Sequence, residues 1–138
     1  MAGVAFRMDY RVTWADTDAA GVVHFSRYFL FFERCEEEFY GSLGFSFKDI
    51  AGEGLWFPRV EASCQYRKPA RFGDVLIVEL SVLMLREKAV RYGFNVLNKE
   101  SGELLAEGVL VVVAADKKTG RATQLPRVVA EKLEPFSK

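Results

Sequence analysis

The hydrophobic period of this chain changes from two to about 3.6 and back again, and that change decides its architecture. Near the N-terminus Phe6, Met8, Tyr10, Val12 and Trp14 alternate with Arg7, Asp9, Arg11 and Thr13. Side chains on a strand point to the two faces in turn, so this segment reads as a half-buried β-strand. Over residues 26–40 the apolar positions Tyr28, Phe31, Phe32, Cys35 and Phe39 fall three and four apart, the spacing of one helix face. Phe29 and Leu30 widen the stripe, which predicts a helix covered on more than one side. Glu33, Glu36, Glu37 and Glu38 supply its polar face, and Gly41 and Gly44 end it. Alternation returns at Val60, Ala62, Cys64 and Tyr66 and continues over residues 75–85 and 90–97. Ser101-Gly102 reads as a hairpin turn. The run 104–115 is apolar on both sides and reads as a central strand. Residues 116–120 break the sheet, a short second helix is expected near 47–51, and a terminal helix or tail follows Pro126.

A helix inserted after the first of five strands, with hairpin-compatible turns, predicts an α+β fold: a mostly antiparallel five-stranded sheet curling around one helix. The 138 residues make one domain, 1–138, with no repeat or linker to divide it.

Several function classes are excluded at this level. Nineteen basic residues balance nineteen acidic ones, so no global field steers the chain to nucleic acid or a membrane surface. His24 is the single histidine, which removes sites that need two from one chain. Cys35 and Cys64 form no CxxC pattern and read as buried thiols. No segment is long and apolar enough for a bilayer, and residues 1–10 offer no apolar signal-peptide core, so a soluble cytoplasmic protein is expected.

Chemistry is expected between the first strand and the helix, in Asp16-Thr17-Asp18-Ala19-Ala20-Gly21-Val22-Val23-His24-Phe25-Ser26. A helix N-terminus exposes unpaired N–H groups and partial positive charge, which can polarise a carbonyl and hold an oxyanion. An acid just upstream can serve as base or nucleophile. The residues alone equally allow Asp16 and Asp18 to cap turns, with Gly21 supplying a positive-φ position.

The run Asp16 to Val23, followed by Tyr28 and Phe32-Glu33, resembles the signature of hot-dog-fold acyl-CoA thioesterases of the 4-hydroxybenzoyl-CoA and Tol-Pal-linked type. Tyr66-Arg67-Lys68-Pro69-Ala70-Arg71-Phe72-Gly73-Asp74 is similar to the segment joining that family's second and third strands. The resemblance spans roughly residues 6–113. It implies a five-stranded antiparallel sheet wrapped around a long central helix, and hydrolysis of an acyl-CoA bearing an aromatic or a short- to medium-chain acyl group. It implies no metal or redox cofactor, coenzyme A entering only as part of the substrate.

Carried over by position, the resemblance makes Asp18, rather than Asp16, the catalytic carboxylate, as general base or as nucleophile. Phe25 contributes its backbone N–H to the thioester carbonyl. His24 stands at the same turn as a catalytic or capping residue. Gly21 and Tyr28 belong to the substrate site, and Trp56, Phe57 and Pro58 to the entrance of the acyl pocket. Arg86 and Lys88 match a nucleotide-binding turn interrupted here by Glu87, with Arg67, Lys68 and Arg71 as a second basic cluster. Glu33, Glu36 and Glu37 are read as structural. The resemblance further implies a homodimer or homotetramer with the site at the interface, and an acyl carrier protein as an alternative substrate carrier. Rival readings are a hot-dog dehydratase or hydratase, and a non-catalytic module that binds acyl-CoA or acyl carrier protein.

Overall fold

The computed structural model describes residues 3–45 and 54–137. The helix expected near 47–51 lies outside them. In chain order the elements are β1 (Phe6–Arg11), α1 (Arg27–Ser42), β2 (Leu55–Trp56), β3 (Arg59–Tyr66), β4 (Val75–Leu85), β5 (Ala89–Asn98), β6 (Leu104–Val113), β7 (Ala115–Asp116) and α2 (Arg127–Leu133). A five-stranded sheet runs β1-β4-β5-β6-β3, antiparallel throughout, and β2 pairs with β7 in a separate ribbon. β3 and β1 are therefore the edges.

Three features differ from the reading of the sequence. The middle strand is β5; β6 is interior but second from the β3 edge. Trp14 does not continue β1, which stops at Arg11, but opens a 3-10 turn and stands in solvent. The face of β3 built from Val60, Ala62, Cys64 and Tyr66 stays largely exposed, because β3 is an edge strand with a bulge between Arg59 and Glu61. Cys64 is accordingly only half-buried, while Cys35 is fully buried and burial pushes its thiol up to about 12.

The 16 residues of α1 make a helix of about 24 Å, moderate rather than long. It packs on β4, β1 and β3 through Tyr28, Phe31, Phe32, Cys35 and Phe39, the predicted stripe. Phe32 stacks on Phe94 of β5 with ring centroids 4.7 Å apart. That stack needs glycine at 108 on β6, because a Cβ there would fall 2.2 Å from the Phe32 ring. Leu30 on the outer side of the helix is exposed, so among the described residues α1 is covered on one side only.

Glu36 departs from the expected polar face. It lies one turn from both Phe32 and Tyr40, in phase with the buried stripe, and is 1% exposed. Its Oε2 accepts Tyr40 Oη–H at 2.6 Å and Arg59 Nη1 at 2.9 Å, and Tyr40 shares a 2.8 Å hydroxyl contact with Tyr92. Burial raises the Glu36 carboxyl, and the charge of Arg59 and the bond from Tyr40 oppose it. The pair joins mid-helix to the start of β3.

Removing Arg59 leaves the Glu36 charge buried without its counter-ion. We expect Arg59→Met to cost about 3 kcal/mol at neutral pH. With the folded-state carboxyl raised further, the cost is present above that value and is relieved as pH falls through it and Glu36 takes up a proton. Urea unfolding of both proteins at neutral and mildly acidic pH checks this; a pH-independent difference contradicts it.

Candidate active site

The loop from Val12 to Ser26 crosses one end of the sheet and is folded by Asp16, whose side chain is 0% exposed. Oδ2 accepts Tyr10 Oη–H at 2.7 Å, the Thr13 amide at 2.9 Å and the Thr13 hydroxyl at 3.0 Å. Oδ1 takes the Arg27 guanidinium through Nε at 3.0 Å and Nη2 at 2.9 Å. The Asp16 carbonyl accepts the His24 N–H at 2.8 Å. Burial alone would raise this carboxyl, but the bonds from Thr13, Tyr10 and Arg27 hold it below its ordinary value. All its acceptor capacity faces protein donors, so Asp16 is the clamp of the loop. The spacing of Thr13 and Asp16 across a short turn, with Arg27 opening the helix, was the available signal for this role, and the sequence reading did not use it.

Asp18 is exposed and sits at the head of a tight turn. Its N–H donates to the Val22 carbonyl at 2.8 Å, and its Oδ1 accepts the Ala20 N–H at 2.8 Å. Among the described residues Oδ2 has no hydrogen-bond partner. Gly21, φ +80°, closes the turn by donating to the Asp18 carbonyl at 3.0 Å, a conformation that suits glycine. A bridge from Thr17 to Val23 closes the loop on itself, and one from Val22 to Arg71 ties it to the segment before β4.

The helix start completes the site. His24 Nδ1 accepts the Ser26 N–H at 3.2 Å and meets Ser26 Oγ at 2.8 Å, and the His24 carbonyl accepts the Arg27 N–H at 2.9 Å. His24 thus closes the turn that leads into α1. The Phe25 N–H, by contrast, has no acceptor among the described residues. Its side chain is 65% exposed and stacks on His24, and its carbonyl accepts Tyr66 Oη–H at 2.8 Å. Tyr66 is a site-shaping residue that sequence reasoning passed over; only its place in the second motif pointed to it. Tyr28 is buried and packs edge-on against Phe31 and Tyr66, so within this chain it supports the site from the core.

The other expected site residues lie elsewhere. β1 ends at Arg11 opposite Val75, so the Asp18 loop adjoins the start of β4, whereas Arg86 and Lys88 follow the far end of that strand, about 35 Å away at ~3.4 Å per residue. Phe57, buried, and Pro58, exposed, likewise precede β3, while Tyr66 and Phe25 meet at its other end. One chain does not bring these two groups together. Of the second basic cluster, Arg67 is paired with Glu107 at 2.8 Å and Lys68 with Glu103. Among the described residues no group of three or more His, Cys, Asp or Glu is arranged to hold a metal ion, and no helix is long and apolar enough to cross a membrane.

Asp16→Asn removes the charge that Arg27 and Tyr10 address and is expected to cost about 2–4 kcal/mol at neutral pH. Because the folded-state carboxyl is lowered, this contribution is present above the usual carboxylate range and is lost as pH falls through the folded value. Denaturation curves at neutral pH and in acid should converge for the two proteins only in acid.

Among the described residues the site thus offers a carboxylate oxygen without a partner and, at the entry to α1, an N–H without an acceptor. Residues 12–133 match the model of the Thioesterase-like superfamily. The acyl-CoA thioester hydrolase YbgC of Escherichia coli O6:H1 is 32% identical over 127 residues, 91% of this chain and 94% of that protein. The 1,4-dihydroxy-2-naphthoyl-CoA hydrolase of Synechocystis is 31% identical over 102 residues, 73% and 74% of the two chains. The crystal structure of a Synechocystis 1,4-dihydroxy-2-naphthoyl-CoA thioesterase superposes with a TM-score of 0.90 at 26% identity, covering 96% of this chain and 98% of that one. The chain is a hot-dog protein that belongs to the Thioesterase-like superfamily, and the enzyme class this membership carries is thioester hydrolysis.

Proposed function

We propose that the protein hydrolyses acyl-CoA thioesters at the Asp18 turn, and that the acyl group is aromatic or a short to medium aliphatic chain. The observation that carries this reading is the Phe25 N–H left without an acceptor at the entry to α1, downstream of a carboxylate with one free oxygen. A thioester carbonyl oxygen placed on that N–H would be polarised by the amide and by the positive end of the helix.

As general base, Asp18 takes a proton from water while the water oxygen bonds to the carbonyl carbon. The resulting oxyanion rests on the Phe25 N–H and collapses by breaking the C–S bond, and the coenzyme A thiolate leaves with the proton that Asp18 carried. As nucleophile, Asp18 forms a mixed anhydride with loss of the thiolate, and water then cleaves the anhydride. Both routes need the ionised carboxylate and the same oxyanion donor. His24 supports them by fixing the turn that leads into α1. The aromatic relatives named above make an aryl-CoA a natural member of the substrate range, and the exposed carboxylate argues against a module that binds without turnover.

The separation of Phe57 and Pro58 from Asp18 has a simple resolution. β3 is an edge strand, and its unpaired N–H and C=O groups invite another strand. Two-fold antiparallel pairing of β3 with a second copy sets the start of one strand beside the end of the other. Phe57 and Pro58 of one chain then come to Tyr66 and Phe25 of its partner. Phe25, Leu30, Val60 and Tyr66, all exposed in the single chain, supply apolar surface for such a contact. We therefore infer a homodimer with two shared sites.

Asp18→Asn is expected to lower turnover of 4-hydroxybenzoyl-CoA or a short-chain acyl-CoA by at least ~100-fold, with folding stability unchanged because asparagine still accepts the Ala20 N–H. Wild-type turnover in this variant would remove Asp18 from the mechanism. Sedimentation velocity should give a dimer or larger species, and Val60→Lys should dissociate it with loss of turnover. A fully active monomer would contradict the shared site.

A further inference from the structure

The Phe25 N–H is free, but the backbone on either side of it is held. Two peptide planes meet at Phe25, and between them they carry four hydrogen-bonding groups. In the first plane the His24 carbonyl accepts the Arg27 N–H at 2.9 Å, and the Phe25 N–H has no acceptor among the described residues. In the second the Ser26 N–H donates to His24 Nδ1 at 3.2 Å, and the Phe25 carbonyl accepts Tyr66 Oη–H at 2.8 Å. Three groups are occupied, and the fourth is the candidate oxyanion donor.

The three holds differ in origin. His24 and Arg27 belong to the turn itself, so their bonds shape it and move with it. Tyr66 closes β3, 41 residues from Phe25, and ties the turn to the sheet. The Phe25 side chain does not do this, being 65% exposed and stacked on His24 of the same turn. Nor does the helix, because α1 opens only at Arg27. Tyr66 is itself anchored, its ring meeting the buried Tyr28 edge-on at 5.3 Å.

Direction matters for such a donor. A hydrogen bond weakens steeply off its axis and strengthens as charge builds on the acceptor. A misaimed N–H therefore costs more at the oxyanion than at the neutral thioester that precedes it.

We propose that Tyr66 is a positioning residue for the reaction, its hydroxyl holding the Phe25 peptide so that the Phe25 N–H points at the developing oxyanion. The proposal rests on the thioesterase reading of the Asp18 turn and adds to it a residue from the opposite end of the fold's connectivity. The two sequence motifs, one opening at Asp16 and the other at Tyr66, then meet in a single hydrogen bond.

Tyr66→Phe removes the hydroxyl and keeps the ring against Tyr28. Its kcat on 4-hydroxybenzoyl-CoA should fall about tenfold, with KM within about twofold of wild type. A second readout needs no turnover. In 4-hydroxyphenacyl-CoA a methylene separates the carbonyl from sulfur, so the bound ketone persists and its carbonyl stretch can be read by infrared difference spectroscopy. Wild type should lower that stretch, and Tyr66→Phe should lower it less, at unchanged sedimentation. An unchanged kcat, a loss confined to KM, or a lowered kcat with an unchanged stretch overturns the positioning role alone. A loss that accompanies a smaller oligomer overturns it too. A Tyr66-dependent stretch in a protein that hydrolyses no thioester overturns the hydrolase reading and supports the positioning role. If wild type neither lowers the stretch nor hydrolyses a thioester, both are overturned; if it hydrolyses without lowering the stretch, only the positioning role is.

Discussion

The buried carboxylate of Asp16 holds together everything that the candidate site needs. It gathers a hydroxyl from β1, an amide and a hydroxyl from Thr13, and the guanidinium that opens α1. Through its carbonyl it also fixes His24, whose ring in turn holds Ser26 just before the helix. The result is that a strand end and a helix start, sixteen residues apart from Arg11 to Arg27, are locked in one geometry. Asp18 and Phe25 lie on the span between these anchors. A buried ion would ordinarily oppose folding, and here the number and closeness of its donors offset the loss of water. The exposed carboxylate that would do chemistry is thus held in place by a hidden one that cannot.

Periodicity made the fold legible because strands and a helix leave different repeats in the sequence. The alternation at Phe6–Arg11 and the three-and-four spacing from Tyr28 to Phe39 correspond directly to β1 and α1. What periodicity does not carry is strand order. Nothing in the apolar run of β6 distinguishes an interior position from the middle one, and nothing in β3 announces that it forms an edge. Polar residues misled for a related reason. Glu36 reads as surface by type but lies on the inward stripe by phase, and Tyr40 together with Arg59, distant in sequence, makes that position tolerable.

The candidate site was legible in part. The short motif located the Asp18 turn, Gly21, His24 and Phe25, because these residues are contiguous and their roles depend on local backbone. Arg86, Lys88, Phe57 and Pro58 belong to distant stretches whose relation to the turn depends on how strands are paired. The sheet places them at its other end. Tyr66 illustrates the same limit, since its hydroxyl reaches the Phe25 carbonyl only once β3 and the loop have been brought together.

The contact between Gly108 and the ring of Phe32 bears on how this sequence can vary. A methyl group at 108 and an aromatic at 32 cannot occupy the same space, and the ring is already held flat against Phe94. Neither position can drift by itself: a larger residue on the strand requires a smaller one on the helix, and a smaller helix residue leaves a void that glycine does not fill. Positions 32 and 108 therefore form one unit of inheritance, in which a change at either site is tolerated only when the other has changed in the opposite sense.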